Sequence, residues 1–222
     1  HERSSAASDV YKRQLFNTGA YPQATYGKEA YGITPTQLAK LRAMAAEAVS
    51  TKTAGQCATT LIWTMLGQEQ DPAVKIVGDQ IRMWFYLMNS PIYHEDPEAV
   101  SLAWWRAKTK YYTADNPWAT IKGPMGATIG TLDHCGWVGI TPFKWMDGDG
   151  AEWQYVRGAD ITALIDAVKE SAGARVWRDA ARHHNGKGLE NGADITGLQK
   201  QVRQLRKDGQ HQKATLMVTV AA

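Results

Sequence analysis

The chain has 222 residues, of which 44% are hydrophobic and 21% charged, and its formal net charge is +3. This composition is close to that of ordinary globular proteins and excludes global disorder. It also excludes a membrane span, because the apolar run from Met83 to Met88 is far shorter than the roughly 18–20 residues needed. Cys57 and Cys135 lie far apart, which excludes a dense disulfide scaffold and indicates a reducing, intracellular setting without deciding between nucleus and cytoplasm.

The N-terminal segment lacks the apolar stretch of a signal peptide. The run from Ser4 to Gln14 resembles a translated sequencing adaptor, so residues 1–14 are expected to be an artefactual or disordered tail. We also expect neither end to be a natural terminus, because the chain has no initial Met and stops within the apolar stretch from Ala214 to Ala222.

Three helix starts are visible as a capping residue followed by proline: Thr34-Pro35, Asp71-Pro72 and Asp96-Pro97. Proline suits the first helical position because its φ is already helical and its missing N–H would have no partner there. Gln37 completes a capping box at the first start, and that helix is predicted to end at about Ser50.

Apolar residues at spacings of three and four predict one core-facing stripe on each of the next two helices. The stripes are Val74, Val77, Ile81, Trp84 and Met88 on the second helix, and Val100, Trp104, Ala107 and Tyr111 on the third. A tryptophan stripe is also compatible with base stacking, but helical spacing favours packing in a core.

A shorter helix is predicted to begin at Gly123-Pro124 and to end near Gly136. The apolar period then changes from helical spacing to alternation on both sides of Asp147-Gly148-Asp149-Gly150. Alternation around an Asp-Gly turn is typical of a hairpin, so one β-hairpin is predicted over about 141–156.

Helices are predicted to resume with Asp160 as the N-cap, and Gly173 is expected to interrupt them. A loop rich in Asn and Gly is predicted over residues 184–192. Asp194 is then expected to cap a last helix that turns Ile195, Leu198, Val202 and Leu205 inward.

The basic character is concentrated between Arg175 and Lys213, where nine Lys or Arg face four acidic residues. Cations arrayed on a helix neutralise phosphates and release counterions, and such contacts hold the backbone without reading bases. A solvated helix face is the alternative interpretation. The predicted nucleic-acid-binding residues are Arg175, Arg178 and Arg182 on one helix, and Lys200, Arg203, Arg206 and Lys207 on the next.

No catalytic residue, metal site or cofactor is predicted. The Asp147 to Gly150 segment begins like an EF-hand loop, but Ala151 and Gly158 stand where the fifth and twelfth positions need ligands. Turn chemistry accounts for its acids and glycines. Asp133-His134-Cys135 and His183-His184 lack the paired spacing of zinc ligands.

A family resemblance is carried by the segment from Thr18 to Ala30, which contains Tyr21-Pro22 and Tyr26-Gly27-Lys28-Glu29. The helix with Leu38-Ala39-Lys40-Leu41-Arg42 follows it. This order resembles the thumb region of non-LTR (LINE-like) retrotransposon reverse transcriptases. Later segments look like the post-polymerase region of protist members: Pro117-Trp118, Lys122-Gly123-Pro124, Gly136-Trp137, Trp145 to Asp147 and Gly150 to Trp153. The resemblance covers Leu15 to about Val220.

The resemblance implies that polymerase chemistry lies upstream, on a palm with an adjacent Asp-Asp pair that holds Mg²⁺. No Asp-Asp occurs in this chain, so no catalytic residue is carried over. The implied partners are an RNA/DNA template–primer duplex and the palm of the same polyprotein.

We therefore expect a mainly α (α+β) fold with a thumb-like helical region over residues 15–112. Residues 113–222 are expected to form a post-polymerase region with a short helix, the β-hairpin and basic helices. The predicted function is that of a non-catalytic reverse-transcriptase fragment that contacts the nucleic-acid backbone or connects the polymerase to a downstream domain. The alternative is a protein-interaction or structural helical module, whose binding would respond little to salt.

Overall fold

The computed structural model describes residues 11–50, 55–93, 96–183 and 186–222. It is 69% helical with one small antiparallel sheet, which confirms the mainly α (α+β) fold class. The longer helices are α1 (Pro35–Val49), α2 (Ala58–Met65), α3 (Pro72–Met88), α4 (Pro97–Thr113), α5 (Pro124–His134), α6 (Thr162–Ala181), α7 (Thr196–Lys207) and α8 (His211–Ala221). The strands are β1 (Val138–Gly139), β2 (Lys144–Met146) and β3 (Glu152–Gln154).

The four proline-marked starts are confirmed, since α1, α3, α4 and α5 each begin at the predicted proline. At α4 the Asp96 carboxylate accepts a hydrogen bond from the Ala99 N–H at 2.8 Å. At α3 the Asp71 carboxylate accepts one from the Ala73 N–H at 2.9 Å. Each carboxylate satisfies an N–H that has no partner inside the helix, which is why these helices begin where they do.

Three features differ from the sequence-based expectations. The helix α6 runs through Gly173 without a break. The predicted hairpin gains β1 as a third strand. Residues 11–15, most of which fall in the expected tail, are helical, and short helical segments follow at Phe16–Ala20, Tyr21–Thr25 and Lys28–Tyr31. Residues 1–10 of that tail and residues 184–185 of the predicted loop lie outside the described residues.

The chain divides into two compact units. Of the described residues, the terminal unit comprises 11–24, 36–50, 55–74, 173–183 and 186–222, and the central unit comprises 25–35, 75–93 and 96–172. Each unit draws on segments from both sides of residue 112, so the units do not correspond one to one with the predicted domains. The domain boundary near residue 112 stays a prediction.

Aromatic side chains dominate the core of the central unit. Trp84, Trp104, Trp137 and Trp145 are almost completely buried, together with Phe85, Ile81 and Leu132. Burial of such large rings removes more apolar surface from water than any other side chain and is a major source of stability. The predicted packing role of Trp84 and Trp104 is thereby confirmed.

The three strands form an antiparallel sheet in the order β1-β2-β3, with Trp145 opposite Gly139 on one side and Trp153 on the other. The turn between β2 and β3 is organised by the carboxylate of Asp147. It accepts hydrogen bonds from the N–H groups of Asp149 and Ala151 and from Trp153 Nε1, at 2.9–3.0 Å. The bond from Trp153 is the largest cause of an Asp147 pKa below its ordinary value, and the backbone bonds lower it further. The acidic turn is therefore structural.

A buried ion pair anchors the terminal unit. Asp71 is fully buried and accepts hydrogen bonds from Arg42 Nε at 2.9 Å, Arg42 Nη2 at 3.0 Å and Trp63 Nε1 at 3.0 Å. Arg42 Nη2 also donates to the Thr59 hydroxyl at 2.9 Å. These bonds join α1, α2 and the start of α3 and compensate the cost of burying a charge.

Among the described residues, no helix combines the length and the apolar character that crossing a lipid bilayer requires.

Candidate nucleic-acid interface

The helix α7 separates an apolar side from a basic side. Val202 is 2% exposed, and Leu198 and Leu205 are half-buried. At 100° per residue these three side chains lie within about 60° of one another. The opposite side carries Lys200, Arg203 and Lys207, and all three are exposed. The predicted inward positions of this helix are therefore confirmed, and the cations follow as its outward positions.

Two contacts fix how α7 faces the rest of the terminal unit. The side-chain amide of Gln199 donates to the backbone carbonyl of Trp63 at 2.7 Å. Arg206 Nη2 lies 3.5 Å from the Met65 sulfur. Both partners belong to α2, and α7 also packs against α8. Both contacts lie on one flank of α7, about 40–60° from Arg203 and about 100–120° from Lys200, and the three cations remain exposed beside them.

Lys200, Arg203 and Lys207 lie within about 60° of the helix circumference and span about 10 Å of its axis. The structure shows no ion pair for any of these three side chains with a described residue, and α7 itself contains no carboxylate. Hydrogen bonds from Thr196 lower the pKa of Asp194, and the nearby positive charge of Lys200 lowers it slightly further. We call these three cations the α7 basic face.

Arg206 was predicted to belong to the same set, but it is half-buried against Met65. At 100° per residue, position 206 is turned about 120° from Lys200. Arg206 and Lys207 are neighbours in the sequence and were predicted to act together. In the helix, Arg206 contacts Met65 whereas Lys207 is exposed to solvent.

The basic row on α6 is partly neutralised by Asp179. Arg182 Nη1 lies 3.1 Å from Asp179 Oδ1, and Arg175 Nε lies 3.8 Å from Asp179 Oδ2. Spacings of three and four residues place all three side chains on one helix face, which explains the pairing. Arg175 and Arg182 therefore share the carboxylate of Asp179 and are not unopposed cations. Arg178 is exposed on the same helix.

The candidate metal ligands take structural positions where they are described. His134 is the last residue of α5, close to the predicted helix end near Gly136, and Asp133 accepts a hydrogen bond from the Tyr111 hydroxyl at 3.1 Å. In the described ranges, no group of three or more His, Cys, Asp or Glu side chains is arranged to hold a metal ion. His184, half of the predicted His183-His184 pair, lies outside those ranges.

One exposed aromatic residue was not predicted from the sequence. Trp105, next to the buried Trp104, is 62% exposed on α4. Neighbouring positions on a helix point about 100° apart, so only one member of a Trp-Trp pair can face the core. The helical period alone therefore predicts that one of these two rings is exposed.

No protein-family model matches the chain, and comparison with curated proteins and with solved structures gives no match either.

Proposed function

We propose that this chain binds the phosphate backbone of a nucleic acid through the α7 basic face. The observation that carries the proposal is that Lys200, Arg203 and Lys207 are exposed together on a helix without a carboxylate. Cations placed in this way attract a polyanion and gain free energy by releasing its counterions.

The two rows predicted from the sequence contribute unequally in this proposal. Arg178 is exposed and provides a further contact from α6. Arg175 and Arg182 contribute less, because each would have to give up its interaction with Asp179 to bind a phosphate. Arg206 contributes through its contact with Met65, which orients α7.

The expected ligand is a duplex held without sequence preference. Phosphate contacts fix position and orientation, whereas sequence is read at base edges by side chains such as Asn, Gln and Arg acting together. The helix α7 presents cations to its ligand from one narrow face, which suits backbone contact.

We also propose that the chain is the thumb and post-polymerase region of a retroelement reverse transcriptase, with catalysis on a palm encoded upstream. This part rests on the short motifs between Tyr21 and Trp153. Cys57 and Cys135 are not joined by a disulfide bond, as is usual for proteins of an intracellular, reducing setting. Reading the coding frame upstream of Leu15 tests the assignment, because a palm would carry an Asp-Asp pair there and an unrelated domain would refute it.

The binding proposal is tested with the variant Lys200→Gln/Arg203→Gln/Lys207→Gln. Affinity for a fluorescently labelled duplex is measured by anisotropy over a series of KCl concentrations. Each lost phosphate contact is expected to reduce the slope of log affinity against log salt by about 0.9. The charge-matched control is Lys40→Gln/Lys122→Gln/Lys213→Gln, which removes three other exposed cations.

The proposal predicts that the control retains the wild-type slope while the α7 variant loses most of it. Equal losses in both variants would mean that net charge alone governs binding, and the α7 basic face would not be the site. A partner that binds with the same affinity at all salt concentrations would favour the protein-interaction module instead.

A further inference from the structure

The helix α4 carries an apolar surface on the side opposite its buried face. Its buried residues are Val100, Trp104 and Tyr111. On the other side Leu102, Trp105 and Tyr112 are 47%, 62% and 46% exposed. At 100° per residue these three lie within about 80° of one another, with Thr109 between them. We call Leu102, Trp105, Thr109 and Tyr112 the α4 outer face.

Single exposed apolar side chains are common on proteins and need no explanation, but a contiguous set on one helix face indicates an interaction surface. Trp105 contributes most, because its indole is the largest of these side chains and more than half of it is exposed. Burial of such a ring against a ligand would contribute favourable free energy by removing its apolar surface from water.

Three basic residues border this face, and two acidic residues lie at its ends: Glu98 one turn before Leu102, and Asp133 beside Tyr112. Arg106 and Lys110 lie along one edge of the α4 outer face, and Lys108 lies along the other. The segment from Ala99 to Ala114 contains no acidic residue. None of the three cations forms an ion pair with a residue in the part of the chain that the structure describes.

The spacing of Arg106 and Lys110 is unfavourable for the helix alone, because like charges four residues apart repel each other. An anionic ligand along that edge would relieve the repulsion. Asp133 lies on the other side, where it interacts with Tyr111 and Tyr112. The edge formed by Arg106 and Lys110 is therefore the favourable path for phosphates.

We infer that the α4 outer face binds a single-stranded nucleic acid, with a base stacked on Trp105 and phosphates along Arg106 and Lys110. Aromatic rings interleaved with cations are the usual combination for this ligand, since every base offers a π-face and every linkage a charge. A duplex keeps its bases stacked inside and offers this face only phosphates. Charge complementarity and the exposed ring together select the single strand.

Tyr112 provides a second ring about 10 Å further along the helix axis. Bases that contact Trp105 and Tyr112 would therefore belong to nucleotides that are not adjacent. The inference does not depend on the α7 basic face, which lies in the other unit and would bind through phosphates alone.

The test uses the full chain with Lys200, Arg203 and Lys207 replaced by Gln, so that the α7 basic face does not contribute. Labelled oligothymidylate and oligouridylate of about a dozen nucleotides serve as probes, a length within the usual site sizes. In this background Trp105→Ala is expected to weaken binding by about 5- to 150-fold, the effect of losing one base–aromatic stack. Trp105→Phe keeps a ring and is expected to restore most of the affinity.

Two further variants separate stacking from charge. Arg106→Gln/Lys110→Gln is expected to reduce the salt slope by about 1.4, at about 0.7 for each phosphate contact on a single strand. Tyr86→Ala, which removes a 71% exposed ring from α3, is the matched control and is expected to leave affinity unchanged. Circular dichroism checks that each variant retains its helical content.

The inference is overturned if Trp105→Ala binds both probes as well as the parent does, or if Tyr86→Ala weakens binding equally. It is also overturned if the parent binds only vesicles of phosphatidylserine and phosphatidylcholine. Self-association that requires Trp105, without binding to either probe, would overturn it in favour of contact between two copies. Failure of the duplex experiment with the α7 variant leaves this result unaffected, because that face is absent from the test protein.

Discussion

Asp71 and Arg42 carry opposite charges in a part of the terminal unit where water has little access. The Asp71 side chain is fully buried and that of Arg42 is 16% exposed. A carboxylate in such a place is tolerated because Arg42, Trp63 and a backbone N–H all donate to it. Removal of either residue would therefore leave the charge of the other without a counter-charge in a buried site.

We predict that Arg42→Ala lowers the free energy of unfolding by about 3–5 kcal/mol, because it leaves the Asp71 carboxylate buried without its counter-charge. The measurement is urea denaturation followed by circular dichroism. The matched control is Arg82→Ala, which removes an arginine from a more exposed pair with Asp79 and is expected to cost at most about 1 kcal/mol. If both variants lose the same free energy of unfolding, groups other than Arg42 compensate the buried charge of Asp71.

Tyr112 gives a prediction about pH. Partial burial, together with the negative charge of Asp133 and a hydrogen bond to it, raises the pKa of its hydroxyl from 10.0 to about 12. The neutral form is therefore favoured in the folded state. The stability that depends on it is fully present below about pH 10, the unfolded value, and is lost as the pH rises towards 12.

NMR of protein labelled at the tyrosine Cζ carbons tests this prediction. The Tyr112 signal, assigned with Tyr112→Phe, is expected to titrate near pH 12. In Asp133→Asn the pKa of Tyr112 should fall towards 10 while staying above it, since burial is the largest cause. Titration of Tyr112 near pH 10 in the wild type would contradict the contacts with Asp133.

At the scale of elements, glycine has a different role in α6 from the one that its sequence position indicates. Gly173 was expected to interrupt the helix, because glycine destabilises a helix interior by about 1 kcal/mol relative to alanine. The helix is continuous there, and a Cβ at position 173 would lie 3.2 Å from the Trp63 ring and 2.9 Å from Gln68 Nε2. The glycine permits close approach of α6 to α2 and its neighbouring turn.

We therefore predict that Gly173→Ala destabilises the protein by about 1–3 kcal/mol, the usual cost of overpacking. Gln68 can move aside, but Trp63 is held by its bond to Asp71 and by an edge-on contact with Trp177. Gly197→Ala on α7 is the control, because nothing lies within 4 Å of the added methyl group. That substitution should stabilise the protein by up to about 1 kcal/mol. Stabilisation by both variants in thermal denaturation would show that Trp63 has room to shift.

At the scale of the whole molecule, charge distribution matters more than total charge. A net charge of +3 is too small to attract a polyanion strongly. The functional proposals therefore depend on local groups: the α7 basic face in the terminal unit and the α4 outer face in the central unit. The former would act through charge alone, and the latter through charge and stacking.

This difference leads to a prediction about ionic strength. With three phosphates neutralised at the α7 basic face, raising the salt concentration from about 50 mM to about 200 mM should weaken duplex binding by about 40-fold. Anisotropy titrations at both concentrations measure the change. If the affinity for duplex decreases only a few-fold, fewer than three cations contact phosphate. The proposed binding face would then include residues that do not bind.

The sequence by itself determined the features that depend on neighbours within one or two helical turns. Helix starts at Pro35, Pro72, Pro97 and Pro124 follow from capping and the fixed φ of proline, and the outward position of Lys200 follows from helical period. Such rules act over a few residues, and each segment carries the information that they need.

Only the tertiary structure decided the partners of individual side chains. Gln199 binds Trp63 and Arg206 contacts Met65 across 136 and 141 residues of chain, and the helical period of α7 does not predict either partner. The continuity of α6 at Gly173 likewise depends on space beside Trp63. Chain segments this distant meet only after folding, because burial of apolar surface from many elements at once brings them together, and no local pattern encodes which side chains then touch.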